Sequence, residues 1–339
     1  MTPRTPFLLR CAILTSVALA ATACTASPAG NGAPASAPAE VPSSAAPSTT
    51  PSEPAGATLP QSDAPLPDDE MVWRHKDRGS WSISTVNTRG LTGPELVVGH
   101  SNVAASLSRD RRTVLYLRHE DDDHTSLRAA SADGGSDVRL FTDGSTDCPQ
   151  LRRPALGPDG TIAVVCSPYD RGDDDFLNIM TTQGKLVKRL DVGQIGDPTF
   201  SPDGTRLVYA RDRYVPYANG GALFSIPVDG SDSPTRLVTG ANLNPVWSPE
   251  GDEVVFVHLE GNRRSLSAVR VNADGQGGGT QTLTTGARDQ DPSWSPDGSR
   301  IVFRRGVGEE HLYVMSADGD AVRRVVRGAG SVTAPVWTA

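Results

Sequence analysis

The stretch Asp197-Pro-Thr-Phe-Ser-Pro-Asp-Gly-Thr-Arg-Leu-Val-Tyr209 recurs twice further along the chain. The later copies are Asn244-Pro-Val-Trp-Ser-Pro-Glu-Gly-Asp-Glu-Val-Val-Phe256 and Asp291-Pro-Ser-Trp-Ser-Pro-Asp-Gly-Ser-Arg-Ile-Val-Phe303. Each Ser-Pro-Asp/Glu-Gly segment places Pro where a turn needs φ near −65° and Gly where φ must be positive. Because apolar residues follow the turn, each copy predicts a β-hairpin.

Three weaker copies of this repeat flank the strong ones. They are Ala104-Ala-Ser-Leu-Ser-Arg-Asp-Arg111, Arg153-Pro-Ala-Leu-Gly-Pro-Asp-Gly160 and Ala334-Pro-Val-Trp-Thr-Ala339. Equivalent residues of the six copies are 43 to 49 residues apart: Ser108, Gly157, Ser201, Ser248, Ser295 and Thr338. This spacing is typical of four-stranded propeller blades, which repeat every ~40–45 residues. We therefore predict an all-β fold, a six-bladed β-propeller of four-stranded blades over residues 68–339.

The two ends of the repeat region are complementary. The last copy stops after one strand, whereas the segment from Met71 to Gly99 begins with three strand patterns and no inner strand. We expect the N-terminal strands to pair with the C-terminal strand and so close the ring. One equivalent slot holds large apolar residues, which we expect to pack between blades: Leu107, Leu156, Phe200, Trp247, Trp294 and Trp337.

The N-terminus carries an export signal. Arg4 and Arg10 precede or begin an apolar run, and small residues lead to Cys24. This order resembles the lipobox of bacterial lipoproteins, which implies residues 1–23 as a signal peptide and a lipid (palmitate-type) modification of Cys24. An ordinary secretory cleavage with an incidental Cys24 is the alternative, and the run is shorter than the ~20 apolar residues of a membrane span.

Residues 24–67 are almost wholly Ala, Pro, Ser, Thr and Gly and contain no aromatic residue. Such a segment buries too little apolar surface to offset the entropy of ordering, so we predict a disordered tether. Without Arg4 and Arg10 the chain has 30 basic and 40 acidic residues, a formal charge of −10. This charge disfavours nucleic acid as a partner.

The repeat resembles that of the TolB-like (WD40-like) β-propeller family, whose members carry Asp/Asn-Pro-x-Trp-Ser-Pro-Asp-Gly followed by an apolar strand. The resemblance covers residues 68–339 and implies the propeller fold. This chain departs from the Tol protein itself in having a lipid-anchor signal, and its tether occupies the place of that protein's N-terminal α/β domain.

The best candidate for a ligand site is the set of polar residues that begin successive inner strands: Asp197, Asn244 and Asp291, with Asp289 just upstream. The topology predicts that they surround one mouth of the central channel, and in the family this mouth binds partner segments. The alternative is that Asp or Asn before Pro only shapes a turn.

Other motifs are weaker. Cys148 and Cys166 flank one predicted hairpin and form a disulfide candidate. Two acidic loops on one face are weak calcium candidates, although neither matches the twelve-residue calcium loop: Asp121, Asp122, Asp123 and Asp173, Asp174, Asp175. Gly275-Gln-Gly-Gly-Gly279 is expected to be a flexible turn. No other metal site and no cofactor are predicted.

No local catalytic motif is present in the sequence. We therefore expect a non-catalytic, monomeric lipoprotein at the outer face of the cytoplasmic membrane, which binds a protein, peptide or envelope component through its propeller. One alternative is a lactonase- or lyase-like, metal-dependent enzyme with a site scattered around the channel. Another is an accessory sensor subunit of a membrane signalling or transport complex.

Overall fold

The computed structural model describes residues 58–77, 80–98, 101–121, 124–144, 148–168, 175–211, 221–286, 288–307, 309–326 and 332–337. The predicted signal peptide, Cys24 and most of the tether lie outside the described residues. So do four of the calcium candidates: Asp122, Asp123, Asp173 and Asp174.

Every regular element among the described residues is a β-strand, and the strands that pair run antiparallel apart from one short parallel contact. The fold is an all-β propeller, as predicted. Its strands form continuous sheets of eight, four, seven and four strands. The first sheet contains β23 (Val332–Val336), β1 (Glu70–Asp77), β2 (Ser80–Asn87), β3 (Thr92–Val97), β4 (Ser101–Leu107), β5 (Thr113–His119), β6 (Thr125–Ser131) and β7 (Asp137–Thr142).

The second sheet has four strands, and the third has seven. The second contains β8 (Gln150–Leu156), β9 (Ile162–Ser167), β10 (Phe176–Met180) and β11 (Leu186–Leu190). The third contains β12 (Ile195–Phe200), β13 (Arg206–Arg211), β14 (Gly221–Pro227), β15 (Thr235–Trp247), β16 (Glu253–Glu260), β17 (Arg263–Val271) and β18 (Gly277–Thr282).

The fourth sheet again has four strands: β19 (Asp289–Trp294), β20 (Arg300–Val307), β21 (Glu309–Ser316) and β22 (Arg323–Val326). The sheet count therefore differs from the six separate sheets that the repeat predicts. Two connections account for the difference. Strand β15 runs for 13 residues and pairs with both β14 and β16, while β2 and β4 meet through the single pair Trp81 and Ser101.

The two ends of the repeat region pair as the sequence predicts. Strand β1 runs antiparallel to β23, with Val72 opposite Val336 and His75 opposite Val332. The side-chain nitrogen of Trp337 adds a hydrogen bond to the backbone oxygen of Asp68 at 2.9 Å. Residues far apart in the sequence therefore meet in one sheet, which is how a propeller avoids exposed strand edges.

The apolar core is divided into six clusters among the described residues. Each cluster joins one set of consecutive strands to the next and contains one residue of the predicted slot. These residues are all buried, with at most 7% of their surface exposed: Leu107, Leu156, Phe200, Trp247, Trp294 and Trp337. The predicted packing role of this slot is confirmed.

The last residues of the segment assigned to the tether pack on the domain. Leu66 is buried, and its backbone amide donates to the carbonyl of Arg111 at 3.0 Å. The amide of Ser62 donates to the carbonyl of Arg112, and the hydroxyl of Thr113 donates to the carbonyl of Pro60. Hydrogen bonds to the backbone thus hold residues 60–66 against the turn between β4 and β5.

The part of the chain that the structure describes contains no helix with the length and apolar character of a membrane span.

Candidate functional site

The inner strands share an unusual backbone feature near their start. Each residue before the repeat proline has a left-handed conformation, with φ between +45° and +51°: Arg153, Asp197, Asn244, Asp291 and Ala334. At the same place each inner strand has one more residue than its partner, so the ladder contains a β-bulge. A bulge bends the strand and redirects its side chains, and bulges are common next to binding sites.

This conformation is costly, because a residue before proline normally adopts extended φ and ψ values. Asp and Asn tolerate positive φ better than other residues with a Cβ atom. The alternative that Asp or Asn before proline only shapes a turn is therefore wrong, because these residues lie within strands, at bulges. Contacts from neighbouring strands hold them there, as strained positions require.

Asp197 connects three consecutive inner strands. Its carboxylate forms an ion pair with the guanidinium of Arg153 on β8. On the other side, Oδ2 accepts hydrogen bonds from the side chain of Asn244, at 3.0 Å, and from the Asn244 backbone amide, at 3.3 Å. One side chain thus joins β8, β12 and β15 around the same mouth of the channel.

Asp291 repeats this arrangement. Its Oδ2 accepts a hydrogen bond from the backbone amide of Ala334 on β23, at 3.3 Å, and one from Nε of Arg304 on β20, at 2.8 Å. The amide of a bulge residue therefore binds the carboxylate of the preceding inner strand in both cases. These bonds hold neighbouring strands together and also form a polar rim.

Asp289 does not belong to this rim. Its side chain is fully buried, and its oxygens accept from Nε of Arg305 at 2.5 Å, from Nη2 of Arg305 at 2.8 Å and from the Thr284 hydroxyl at 2.5 Å. The salt bridge with Asp289 raises the pKa of Arg305. Asp289 is therefore a structural carboxylate that joins β19 to β20.

The rim encloses one end of a cavity. This cavity has a volume of about 200 Å³ and is lined by all five bulge residues together with Ala105 and Ser106 of β4. The structure thus brings together Asp197, Asn244 and Asp291, as the topology predicts. An opening of this size admits a side chain or a narrow segment of a ligand.

A second cavity, of about 130 Å³, lies where the repeat turns at the other end of the inner strands converge. Its lining includes the turn prolines Pro158, Pro202, Pro249 and Pro296. In the degenerate copy Arg109 replaces the proline, and its guanidinium donates to the carbonyl of Pro202 at 2.6 Å. The two ends of the channel are therefore chemically different: one has a rim of Asp, Asn and Arg side chains, and the other is lined by four prolines together with Arg109 and Arg111.

The remaining candidates are dispersed. Asp121 binds His124 at 2.8 Å, and Asp175 accepts from the hydroxyl of Ser167 at 2.6 Å. Cys148 and Cys166 form a disulfide, with Cα atoms 5.0 Å apart. Within the described ranges, no three His, Cys, Asp or Glu side chains are arranged to hold a metal ion.

Two residues of the rim were not among the predicted site residues. Arg153 and Ala334 occupy the same repeat position as Asp197, so the alignment of all five copies could have identified them. Arg264 and Arg304 lie outside the repeat motif, and only the folded arrangement places them near Asp291.

Comparison with known proteins identifies the repeat region. A family model described as the TolB beta propeller domain matches residues 150–339. A comparison with curated proteins found no match.

Solved structures share the fold at low sequence identity. TolB from Acinetobacter baumannii has a TM-score of 0.67 at 18% identity, covering 80% of this chain and 66% of that one, so this chain spans just under two thirds of its length. A structure named TolB from Agrobacterium tumefaciens has a TM-score of 0.53 at 20% identity, covering 76% and 88% of the two chains. An oligogalacturonate lyase in complex with manganese has a TM-score of 0.52 at 13% identity, covering 78% and 75%. At these identities the likeness concerns the fold alone.

Proposed function

The chain belongs to the TolB β-propeller family, and on that premise we propose that it is a non-catalytic binding scaffold of the cell envelope. Its ligand is a protein or peptide, and the binding site is the mouth of the channel at Asp197, Asn244 and Asp291. The ring works as a monomer.

The observation that supports this proposal is the use of the carboxylates at the mouth. Asp197 and Asp291 each bind a guanidinium and the backbone amide of the next inner strand. These bonds fix the shape of a polar rim around the cavity. A general acid or base instead needs a carboxyl group positioned to exchange a proton with a substrate. A rigid rim with several polar groups suits recognition better.

We further propose that the ring has six blades. The six apolar clusters each lie between consecutive sets of strands. The eight-stranded and seven-stranded sheets would then each contain two blades, joined by the contact of Trp81 with Ser101 and by the length of β15. The regular spacing of the repeat supports the same division.

The proposal includes export and a lipid anchor on Cys24. The order of basic, apolar and small residues before Cys24 supports it. The Pro- and Ser-rich segment that follows would hold the propeller away from the outer face of the cytoplasmic membrane. In this position the channel mouth can meet other envelope proteins.

The metal-dependent enzyme is the main alternative, and one experiment separates it from the scaffold. The full chain is purified without chelator, its metal content and native mass are measured, and it is assayed for cleavage of oligogalacturonate. We expect a metal-free, inactive monomer. One equivalent of metal that survives dialysis, or turnover of the saccharide, would overturn the scaffold proposal.

The accessory-subunit alternative differs only in the identity of the partner. Identification of proteins that cross-link to the channel mouth distinguishes the two cases. A membrane kinase or transporter subunit as the main adduct would favour the accessory role, and a soluble or wall-associated envelope protein would favour the scaffold.

A further inference from the structure

A group of arginines lies beside the channel mouth, on the side of Asp291. Arg304 bridges the carboxylates of Asp291 and Glu310 and also donates to the side-chain oxygen of Gln290 at 3.0 Å. The same oxygen of Gln290 accepts a hydrogen bond from Arg264. One neutral acceptor is thus shared by two cations.

Arg288 adds a third positive charge next to Arg264. The backbones of the two residues form an isolated parallel bridge. Burial lowers the pKa of Arg264, the nearby charges of Arg288 and Arg304 lower it further, and attraction to Asp291 and Glu310 opposes these effects only in part. Among the described residues neither Arg264 nor Arg288 has a carboxylate within ion-pair distance.

Arg74 extends the cluster toward β1. Its guanidinium lies over the ring of Trp81, 4.2 Å from the centroid. Burial lowers its pKa, attraction to Asp291 opposes that effect, and repulsion from Arg304 adds to it. Arg74 therefore borders the group, in which the three guanidiniums of Arg264, Arg288 and Arg304 outnumber the carboxylates of Asp291 and Glu310.

This local excess of positive charge contrasts with the formal net charge of the whole chain, which is −8. Like charges placed together in a partly buried site oppose each other unless an anion compensates them. Guanidinium groups bind carboxylates with paired, directional hydrogen bonds. The excess positive charge beside the channel mouth is therefore suited to a ligand that brings carboxylates.

We propose that the cluster of Arg264, Arg288 and Arg304 binds the carboxylates of an acidic peptide segment that enters the channel mouth. The inference rests on the proposed function, which makes the ligand a peptide or protein, and it specifies the chemistry of that ligand. The narrow cavity takes one extended segment, and the arginines bind its acidic side chains at the rim.

The test uses the purified full chain and a fluorescent hexaglutamate peptide, with hexalysine as the opposite-charge probe. We expect hexaglutamate to bind, more weakly as salt increases, and hexalysine not to bind. The variant Arg264→Gln/Arg288→Gln should weaken binding of hexaglutamate at least about tenfold, because two guanidiniums that contact the ligand are lost.

The matched control removes the same charge elsewhere. Arg139→Gln/Arg236→Gln changes two exposed arginines on β7 and β15 and should leave affinity within about twofold, because distant surface charges are largely screened. Circular dichroism establishes that both variants are folded.

Three results would overturn the inference: no binding of hexaglutamate by the wild type, equal binding by the Arg264/Arg288 variant, or an equal loss in the control. Binding of oligogalacturonate without binding of hexaglutamate would also reject the peptide assignment and place a sugar acid at the cluster. If a partner cross-links at the mouth while hexaglutamate does not bind, the proposed function stands and this inference fails.

Discussion

The guanidinium of Arg111 donates a hydrogen bond to the backbone oxygen of Trp337 at 3.1 Å, across 226 positions of sequence. The same side chain donates to the carbonyls of Pro67 and Glu70 at 2.7 and 2.6 Å. Arg111 has φ +59° and stands where the other turns have glycine. One residue of a degenerate repeat thus joins the two ends of the propeller region.

Replacing Arg111 with glycine should destabilise the protein, even though glycine suits the positive φ. Three charge-assisted hydrogen bonds are lost, and the buried carbonyl of Trp337 loses its donor, so we expect a loss of about 3 kcal/mol in the free energy of unfolding. Urea unfolding measures it. Arg109→Pro, in the same turn, restores the repeat residue and should change stability by less than about 0.5 kcal/mol. Equal effects of the two changes would contradict the role of Arg111.

Asp197→Asn should weaken the contacts around the channel mouth without changing the side-chain volume there. The amide keeps the shape but loses the ion pair with Arg153, so the free energy of unfolding should fall by about 1–2 kcal/mol. Asp191→Asn is the control, because that carboxylate is 75% exposed and pairs with Arg189 at the surface; its expected effect is below about 0.5 kcal/mol. An unchanged urea midpoint for Asp197→Asn would refute the bridging role.

Stability should depend on pH through the repeat turns. The hydroxyls of Ser201 and Ser295 donate to Asp203 and Asp297 and lower the pKa of both carboxyls. A lowered pKa in the folded state contributes stability above the unfolded pKa of 3.8, and that stability is lost as the pH falls toward the folded pKa.

The double variant Ser201→Ala/Ser295→Ala should therefore be less stable than the wild type at pH 6, and the difference should shrink at pH 2.5. Urea unfolding at both pH values measures this difference. A gap that stays constant, or that widens in acid, would be inconsistent with the assigned hydrogen bonds.

Cys24→Ser should release the protein from the membrane. Without the thiol there is no acceptor for lipid, so the full chain should move from the membrane fraction to the soluble fraction, and a labelled fatty acid should no longer be incorporated. Cys11→Ser, within the predicted signal peptide, is the matched control and should leave both readouts unchanged. Retention of label in Cys24→Ser would reject the anchor.

The fold was largely predictable because the turn Ser-Pro-Asp-Gly and the apolar residues around it act locally. Gly160, Gly204, Gly251 and Gly298 all have positive φ, as the turn requires. The segment from Gly275 was less predictable. Gly277 lies in strand β18, opposite Val271 of β17, and a Cβ atom there would stand 2.7 Å from the carbonyl of Leu237. This close approach depends on tertiary packing, which composition does not indicate.

The candidate site was predictable only in part. Topology placed Asp197, Asn244 and Asp291 at one mouth, but it could not distinguish Asp289, whose burial depends on the long-range partner Arg305. The bulges were not foreseen, because a residue before proline is expected to be extended. The arginine cluster combines residues of different sheets, Arg264 in β17 and Arg304 in β20, and no sequence spacing connects them.

Site-specific photo-crosslinking tests the central claim most directly. A photoreactive residue is placed at position 153, on the rim, or at position 187, where Val187 is 61% exposed on the outer strand β11, and cells producing each full chain are irradiated. We predict a discrete protein adduct from position 153 and none from position 187. Adducts from position 187 alone, or equal and heterogeneous adducts from both positions, would contradict binding at the channel mouth.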